Sequence, residues 1–361
     1  MRKRNIILLI IAGLIVSGGV AFGIVVIATW GEYKYSNTFY YDPSAPSPLE
    51  NVSFSSDVGN IIINYNTTPT NYAVKLDLDI RVSGGFVAGK SFSDFFKPIT
   101  WSNESVSIIT FSLEKKPTTW SIFPIIQRIT INITLRTDVT YDIEALTTTG
   151  SIEMDVPTNC IINNTILTST TGSVSLSSLM NTVFLGKVEM STNTGSLTIN
   201  AVGSNFVSGL TAISTTGSLT ISLTSCDVGD NLVGTISTGS ISINSYNTKY
   251  SKDSIWDFET STGSIDIQIT QLIGMDANIT GNIQSSTGSI DVIYNDAQST
   301  VGAEFTCSVD TGSITYIDLG AGGMSKVGDI ILTDDYNSAI YKYTFSLTTS
   351  TGSIEVRGQS L

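Results

Sequence analysis

The stretch Ser261-Thr-Gly-Ser-Ile-Asp-Ile-Gln-Ile269 joins a glycine flanked by hydroxyl residues to an alternation of apolar and polar side chains. Alternation with a period of two puts successive side chains on opposite faces and predicts a β-strand with one buried face. A Thr-Gly-Ser tripeptide followed by an aliphatic residue occurs nine times, with its glycine at Gly150, Gly172, Gly195, Gly217, Gly239, Gly263, Gly288, Gly312 and Gly352. The intervals are 22, 23, 22, 22, 24, 25, 24 and 40 residues. Chance does not produce this spacing, so the chain is a repeat protein.

A second apolar alternation precedes each motif, as in Tyr343-Thr-Phe-Ser-Leu347, so each repeat supplies two short strands. One repeat cannot bury its aliphatic stripe alone, whereas stacked repeats share a continuous core. We therefore predict an all-β fold, a parallel single-chain β-solenoid of 22–25 residues per coil. An antiparallel β-sandwich also has regular turn signals, but the fixed identity at each repeat argues against it. Weaker copies stand at Val58-Gly-Asn-Ile61 and Val327-Gly-Asp-Ile330.

The repeat glycines are predicted to be structural corners. Glycine is required where a Cβ would forbid the backbone conformation or block the close approach of the next coil. Stacked Ser and Thr side chains beside each corner can form hydroxyl ladders between coils. We expect no catalytic role for the repeated serines.

The N-terminus predicts a membrane anchor. Arg2, Lys3 and Arg4 precede an uncharged run from Ile6 to Trp30, and a helix of 25 residues rises about 37 Å, enough to cross a bilayer. A cleaved signal peptide would have a shorter apolar run. The basic tip favours a cytoplasmic N-terminus, with residues 31–361 outside the cell. The aromatic residues that follow Trp30 fit an interfacial belt or an ordinary linker equally well.

Four segments are predicted along the chain. Residues 1–30 form the basic tip and transmembrane helix, residues 31–48 a juxtamembrane stalk, residues 49–146 an irregular β-cap or first coil with an insertion, and residues 147–361 the regular coils. The cap is expected because a bare solenoid end exposes core and strand edge. The aromatic residues at 86–123 could instead form a surface for a glycan or membrane. No capping element follows the last motif, so we expect the far end to have a short edge or to meet a partner or second copy.

Composition excludes several functional classes. Of 361 residues, 49 are Ser and 47 are Thr, which favours strands and turns over helices. No histidine is present, which removes Ser-His and Cys-His nucleophile pairs and the commonest metal ligand. Residues 31–361 carry 15 bases and 31 acids, a net charge of −16. Such a surface repels nucleic acid and anionic lipid.

Few residues are candidates for chemistry. Cys160, Cys226 and Cys307 fall in different coils and are predicted to be isolated, partly buried thiols, because three coils separate the first two by about 14 Å. The segments 227–231 and 334–337 could offer oxygen ligands to Ca²⁺, although Asp and Asn are also ordinary turn residues. We predict no cofactor beyond this possible Ca²⁺. Asp266 and Asp291 should stack on the outward face, a possible ligand face whose spacing of about 5 Å also suits a retaining glycosidase.

The Thr-Gly-Ser-Ile coils, with an anchor and a longer first segment before them, resemble the putative adhesin family of bacteria and archaea. The defining repeat of that family is Ser/Thr-Gly-(Asp/Ser)-Ile on a β-solenoid, and the resemblance covers residues 49–361. It implies a fold without catalytic residues, and some members are membrane-anchored accessories of envelope-stress systems. Here Ser follows Gly where many copies have Asp, which puts a shared ion-binding role in doubt.

The expected function is therefore a non-enzymatic, membrane-anchored extracellular β-solenoid for adhesion or partner binding. A cell-surface protein or a glycan is the expected partner. Two alternatives stay open: an accessory ectodomain of an envelope-stress or signalling system, and a carbohydrate-active β-helix.

Overall fold

A computed structural model describes residues 31–42, 49–68, 70–84, 87–102, 108–117, 125–296, 300–319 and 323–359. Strands dominate this part of the chain, and the longest helix in it has four residues. The N-terminal elements are β1 (Gly31–Tyr41), β2 (Leu49–Val58), β3 (Asn60–Asn66), β4 (Val74–Gly84), α1 (Phe92–Phe95), β5 (Thr100–Ser102), β6 (Ile109–Leu113), β7 (Ile125–Arg136) and β8 (Thr140–Thr149).

The regular repeats follow. Their strands are β9 (Ile152–Val156), β10 (Ile161–Thr171), β11 (Val174–Ser178), β12 (Val183–Phe184), β13 (Val188–Thr194), β14 (Leu197–Val202), β15 (Asn205–Phe206), β16 (Leu210–Thr216), β17 (Leu219–Thr224), β18 (Asp227–Val228), β19 (Leu232–Thr238), β20 (Ile241–Tyr246), β21 (Lys249–Tyr250), β22 (Ser254–Thr262) and β23 (Ile265–Gln271). The last strands are β24 (Ile279–Thr287), β25 (Ile290–Asp296), β26 (Val301–Thr311), β27 (Ile314–Leu319), β28 (Met324–Val327), β29 (Ile330–Thr333), β30 (Tyr341–Thr351) and β31 (Ile354–Gln359).

Each repeat forms one layer, which we name after its glycine. The strand that follows the glycine pairs in parallel with its counterpart in the next layer, as Ile241 does with Ile265, and these strands form sheet A. The strands that precede the glycines pair in the same way to form sheet B, as Thr238 does with Thr262. The predicted all-β fold with parallel pairing between repeats is confirmed.

A third side, absent from the sequence prediction, joins the two sheets in the middle layers. Four two-residue strands, β12, β15, β18 and β21, pair in parallel with one another. Their inward residues are Phe184, Phe206, Val228 and Tyr250, all fully buried. A two-residue strand has no visible alternation, so this side was not predicted.

The core lies between the sheets and consists of the inward residues of every layer. The first inward position after the glycine is aliphatic throughout, and from Ile152 to Ile290 it is at most 1% exposed. One cluster of aromatic side chains lies near the far end, where Trp256, Tyr343, Phe305 and Phe345 are buried together. The core thus runs unbroken from layer to layer.

The layers do not follow chain order at the far end. Gly288 N–H donates to Thr351 O at 2.9 Å, and Gly352 N–H donates to Thr311 O at 3.0 Å. Strand β30 accordingly lies between β24 and β26, and β31 lies between β25 and β27. The C-terminal layer is therefore inserted between the Gly288 and Gly312 layers, and the 40-residue interval reflects this insertion.

The far end carries a covering element, contrary to the expectation from sequence. Strands β28 and β29 form an antiparallel hairpin, and β29 pairs with residues 304–306 of β26, the outermost strand. Gly328, expected to mark a weak repeat copy, has φ +62 and lies in the turn of this hairpin. Its flanking residues Val327 and Ile330 pair with each other, so this segment is a hairpin and not a layer.

The near end is extended by the segment between Gly59 and Gly150. Gly59 N–H donates to Thr149 O at 2.8 Å, so the weak copy at Gly59 is a true layer. Strand β7 adds to sheet A in parallel with β3, followed by β4 and β1 in antiparallel orientation. Strand β6 adds to sheet B in parallel with β2.

Residues 31–41 belong to sheet A instead of the expected stalk. Strand β1 pairs with β4 over its full length. Tyr35 contacts Phe92 with ring centroids 4.8 Å apart, and Phe39 contacts Trp101 at 5.5 Å. These aromatic residues alternate along a strand and pack on a protein surface, which accounts for them without a membrane interface.

The predicted anchor at residues 1–30 and the linker at 43–48 lie outside the described residues. Within the described ranges, no helix has the length and apolar character needed to cross a membrane.

Candidate functional site

The repeat glycines form a ladder along one corner of the stack. From Gly150 to Gly352 the nine motif glycines have φ between +140 and +150. A Cβ on Gly263 would lie 2.0 Å from Gly239 O, and every other member of the ladder meets the glycine carbonyl of an adjacent layer in the same way. Both the backbone conformation and the close approach therefore require glycine at this corner.

A buried hydroxyl ladder runs beside the glycines. The residue three positions before a repeat glycine donates its hydroxyl to the glycine carbonyl of the preceding layer, as Thr260 Oγ1 does to Gly239 O at 2.9 Å. Within the described ranges seven such bonds are present, from Thr147, Ser169, Thr192, Ser214, Thr260, Ser285 and Thr349. Ile236 and Val309 occupy this position in the Gly239 and Gly312 layers, and neither side chain has a hydroxyl to donate. The predicted hydroxyl ladder is present here, and its side chains are buried.

The serine that follows the repeat glycine forms an outer ladder in several layers. Ser173 N–H donates to Ser151 Oγ at 3.2 Å, Ser196 N–H to Ser173 Oγ at 3.3 Å, and Ser353 N–H to Ser289 Oγ at 3.4 Å. Asn60 Oδ1 accepts from Ser151 N–H at the near end. In these layers the hydroxyl accepts a hydrogen bond from the next layer, which accounts for serine at this position.

The predicted ligand face on sheet A is an acidic column. Asp266 pairs with Asp291, and Asp291 pairs with Glu355 of the inserted layer. Burial raises the pKa of Asp291, and the carboxylates of Asp266 and Glu355 raise it further, while Arg357 opposes them. Arg357 Nε lies 2.7 Å from Glu355 Oε1. The column is thus three carboxylates and one guanidinium, and not the isolated acid pair expected from sequence.

A groove that was not predicted from the sequence lies on the outer face of sheet B, near the N-terminal end. Its volume is about 520 Å³. Glu144, Ile166 and Glu189 cross its floor as neighbours in three successive layers. Ile166 is 36% exposed, and Ile108 at the rim is 49% exposed. Carboxylates and aliphatic surface therefore alternate within one depression.

Hydrogen bonds fix two of the carboxylates in the groove. Asp142 Oδ1 accepts from Asn163 Nδ2 at 2.8 Å and from the backbone N–H of Asn164 at 2.9 Å. Glu144 Oε2 accepts from Ser53 Oγ at 2.8 Å. Lys187 Nζ lies 3.8 Å from Glu189 Oε1. Among the described side chains that line the groove, Lys187 is thus the only basic one, against three acidic residues, Asp142, Glu144 and Glu189.

The repeat period could have located this column. Glu144, Ile166 and Glu189 each stand six residues before a repeat glycine, at Gly150, Gly172 and Gly195. Residues at the same offset share one column because the layers are in register. The groove itself could not be predicted, because its rim comes from the insertion that precedes Gly150.

The remaining candidate residues do not converge. Cys160, Cys226 and Cys307 are buried free thiols, as predicted. Burial raises the pKa of Cys160 and of Cys307 to about 11. In the segments considered for Ca²⁺, Asp230 Oδ1 accepts from Asn231 N–H at 2.9 Å. Across the part of the chain that the structure describes, no three Asp, Glu, Cys or His side chains gather as a metal site.

Comparison with known proteins identifies no family. No family model and no curated protein matches the chain. Among solved structures, a "putative cell adhesion protein" from Clostridium sporogenes is 11% identical, with 91% of this chain and all of that chain covered and a TM-score of 0.25. A "putative lipid binding protein" from Parabacteroides distasonis is 12% identical, with 89% and 96% covered and a TM-score of 0.43. A "putative adhesin" from Bacteroides fragilis is 10% identical, with 90% and 97% covered and a TM-score of 0.33. No family or function follows from likenesses at this level.

Proposed function

We propose that this chain is a non-catalytic β-solenoid, anchored by residues 1–30 in the cell membrane and displayed outside the cell to bind a partner. The observation that carries the proposal is the in-register stack, in which backbone and hydroxyl ladders join each layer to the next. Outward side chains of such a stack recur at the strand spacing of about 4.8 Å. A rigid body with repeated polar columns suits recognition of an extended partner.

The groove on sheet B is the proposed contact surface. Its carboxylates can accept hydrogen bonds, and Ile108 and Ile166 offer apolar surface beside them. This combination suits a cell-surface protein or glycan that presents hydroxyl or amino donors beside apolar groups. The net charge of the ectodomain disfavours nucleic acid and anionic lipid as partners.

A carbohydrate-active β-helix is the second candidate. The neighbouring Asp266 and Asp291, together with the raised pKa of Asp291, favour it. Glu355 and Arg357 beside the pair argue against a two-carboxylate mechanism, in which one acid and one base or nucleophile act alone.

Binding of the full-length protein in detergent to a glycan array and to whole cells tests both candidates, with and without Ca²⁺. The groove variant is Glu144→Gln/Glu189→Gln. Its matched control is Asp257→Asn, since Asp257 occupies a sheet B strand beyond the groove. The sheet A variant is Asp266→Ala/Asp291→Ala.

Saturable binding that is lost in the groove variant and kept in the control supports the first candidate. Loss in the sheet A variant alone, with release of reducing sugar by the wild type, supports the second. Binding that none of the substitutions alters would overturn the groove as the contact surface.

A further inference from the structure

The C-terminal layer occupies a slot between two layers that precede it in the chain. On one side lie β24 and β25, and on the other lie β26 and β27. Residues 301–333 are synthesised before residues 341–359, so the slot must be open, or reopen, when the last layer enters. We call β30 and β31 together the inserted pair.

The segment that forms the Gly312 layer could in principle take the same place. It carries the same Thr-Gly-Ser-Ile motif, and its Phe305 stands at the position of Phe345. Phe345 packs over Gly281, where a Cβ would lie 2.1 Å from its ring, and its centroid is 5.5 Å from that of Trp256. An aromatic ring at this position is available from either segment, so this contact does not decide which layer enters.

Two buried hydrogen bonds select the inserted pair. Thr349 Oγ1 donates to Gly288 O at 2.8 Å, and the corresponding residue of the Gly312 layer is Val309. Tyr343 Oη donates to Gln271 Oε1 at 3.3 Å, and the corresponding residue is Ala303. Direct stacking of the Gly312 layer on the Gly288 layer would leave both buried acceptors without these donors. Both losses would occur together, and both favour the inserted pair over the Gly312 layer.

The inserted pair joins its own chain through a short connector, residues 334–340. The connector is a turn in which Ser338 and Ala339 N–H groups donate to Asp335 O, and Ile340 is 67% exposed. The contacts that select the pair lie between the pair and the slot, and not in the connector. An identical pair from another chain would make the same contacts.

We propose that the slot is a strand-acceptor site, and that its second occupant is the inserted pair of another copy of this chain. Two chains that exchange their last layers form a dimer with the same slot contacts as two monomers. Exchange takes place while the slot is open, during folding or after transient release of the pair. This proposal is independent of the groove and of the proposed function, because a chain that binds no ligand can still exchange strands.

The test uses full-length chains in detergent that each carry one new cysteine, Ser289→Cys in one batch and Ser353→Cys in the other. Ser353 N lies 3.4 Å from Ser289 Oγ, and neighbouring strands at about 4.8 Å allow a disulfide. The batches are mixed, unfolded and refolded together under reducing conditions, and oxidised after refolding. The natural cysteines are then buried. Neither chain can form the new disulfide alone, so a linked heterodimer reports exchange.

The matched control mixes Ser218→Cys with Ser240→Cys, from adjacent middle layers where chain order and layer order agree. We expect a several-fold higher heterodimer yield from the 289/353 mixture, rising with protein concentration. Equal yields from the two mixtures, or no heterodimer from the first, would overturn strand exchange.

A single chain with both Ser289→Cys and Ser353→Cys checks the slot separately. We expect an intramolecular disulfide at low concentration. Its absence, with the protein folded by circular dichroism, would overturn the slot itself.

Discussion

Alanine in the glycine ladder should destabilise the stack far more than alanine at other glycines. Gly263 lies between two complete layers, has φ +145, and faces Gly239 O. The change Gly263→Ala adds one methyl group at a position where the next layer leaves no space. Gly203 and Gly274 provide comparisons of decreasing severity within the same chain.

The magnitude follows from the contacts at this corner. The added Cβ would lie 2.0 Å from Gly239 O, so the layers must part by more than about 1 Å, about the amount that breaks a hydrogen bond. Three bonds are affected: Gly239 N–H to Thr262 O, Ile241 N–H to Ser264 O, and Thr260 Oγ1 to Gly239 O. At about 1 kcal/mol each, with about 1–3 kcal/mol for the backbone conformation, the expected loss is about 4–6 kcal/mol.

The comparison variants should cost much less. Gly203 has φ +60, and its Cβ would meet the flexible side chain of Met180 at 2.9 Å, so Gly203→Ala should cost about 1–2 kcal/mol. Gly274 has an ordinary φ, and no atom lies within 4 Å of the place that an added methyl group would take. Gly274→Ala should therefore be neutral or stabilising by less than about 1 kcal/mol.

Urea denaturation followed by circular dichroism gives the order of stability. Hydrogen exchange is needed beside it, because a stack of repeats can open locally without unfolding as a whole. Exchange should accelerate first at the amides of the Gly239, Gly263 and Gly288 layers. If Gly263→Ala costs no more than Gly203→Ala, close approach between the layers is not the reason for glycine at this corner.

Three further outcomes are expected. Thr260→Val should lower the free energy of unfolding by about 1–3 kcal/mol, because Gly239 O loses its buried donor. Ile236→Val, which removes one methylene at the equivalent position, should lower it by about 0.5–1.5 kcal/mol. Denaturation midpoints that reverse this order would contradict the hydroxyl ladder. Burial and neighbouring carboxylates raise the pKa of Asp291 above its ordinary 3.8. The protonated carboxyl therefore stabilises the folded state at low pH, and this stabilisation is lost as pH rises through the pKa of the folded state. Asp291→Asn should therefore raise Tm at pH 7 with a gain that disappears below about pH 4, and a gain independent of pH would refute the cause given. Burial raises the pKa of Cys160 and of Cys307 to about 11. A thiol reagent at about pH 8 should therefore label these cysteines far more slowly in the folded protein than in the unfolded one. Rapid labelling of the folded protein would show that the layers open readily.

The repeat period was sufficient to predict which residues are neighbours in the regular part of the chain. Asp266 and Asp291 lie 25 residues apart, and their pairing follows from the positions of Gly263 and Gly288 alone. This inference works because a parallel in-register ladder joins equal positions of successive repeats. The inference fails wherever the order of the layers differs from the order of the repeats in the chain. The period alone does not say which of several equivalent repeats is the neighbour of a given layer.

Two other features of the fold left a signal in the sequence that the glycine repeat obscured. The second corner of the stack is turned by residues with positive φ, namely Asn159, Asn181, Gly203, Ser225 and Asn247, spaced by 22 residues. Asn and Gly are the residues that best tolerate this conformation, so their recurrence marks the corner. In residues 31–41, the aromatic alternation is typical of a strand, but it directly follows an apolar run, which favours an interfacial belt or a linker at the sequence level.

Layer order is specified where the repeat departs from itself. Identical motifs make every layer compatible with every other, so the ladders of glycine and serine stabilise the stack without fixing its order. Order must come from positions where equivalent residues differ. Thr349 differs from Val309, and Tyr343 from Ala303, and both differences favour the observed insertion. Exchanging these two pairs of residues within one chain should therefore favour the Gly312 layer in the slot. A disulfide between cysteines at 289 and 313, in place of one between 289 and 353, would report the exchange, and an unchanged 289–353 disulfide would show that the connectors and not the side chains determine the order.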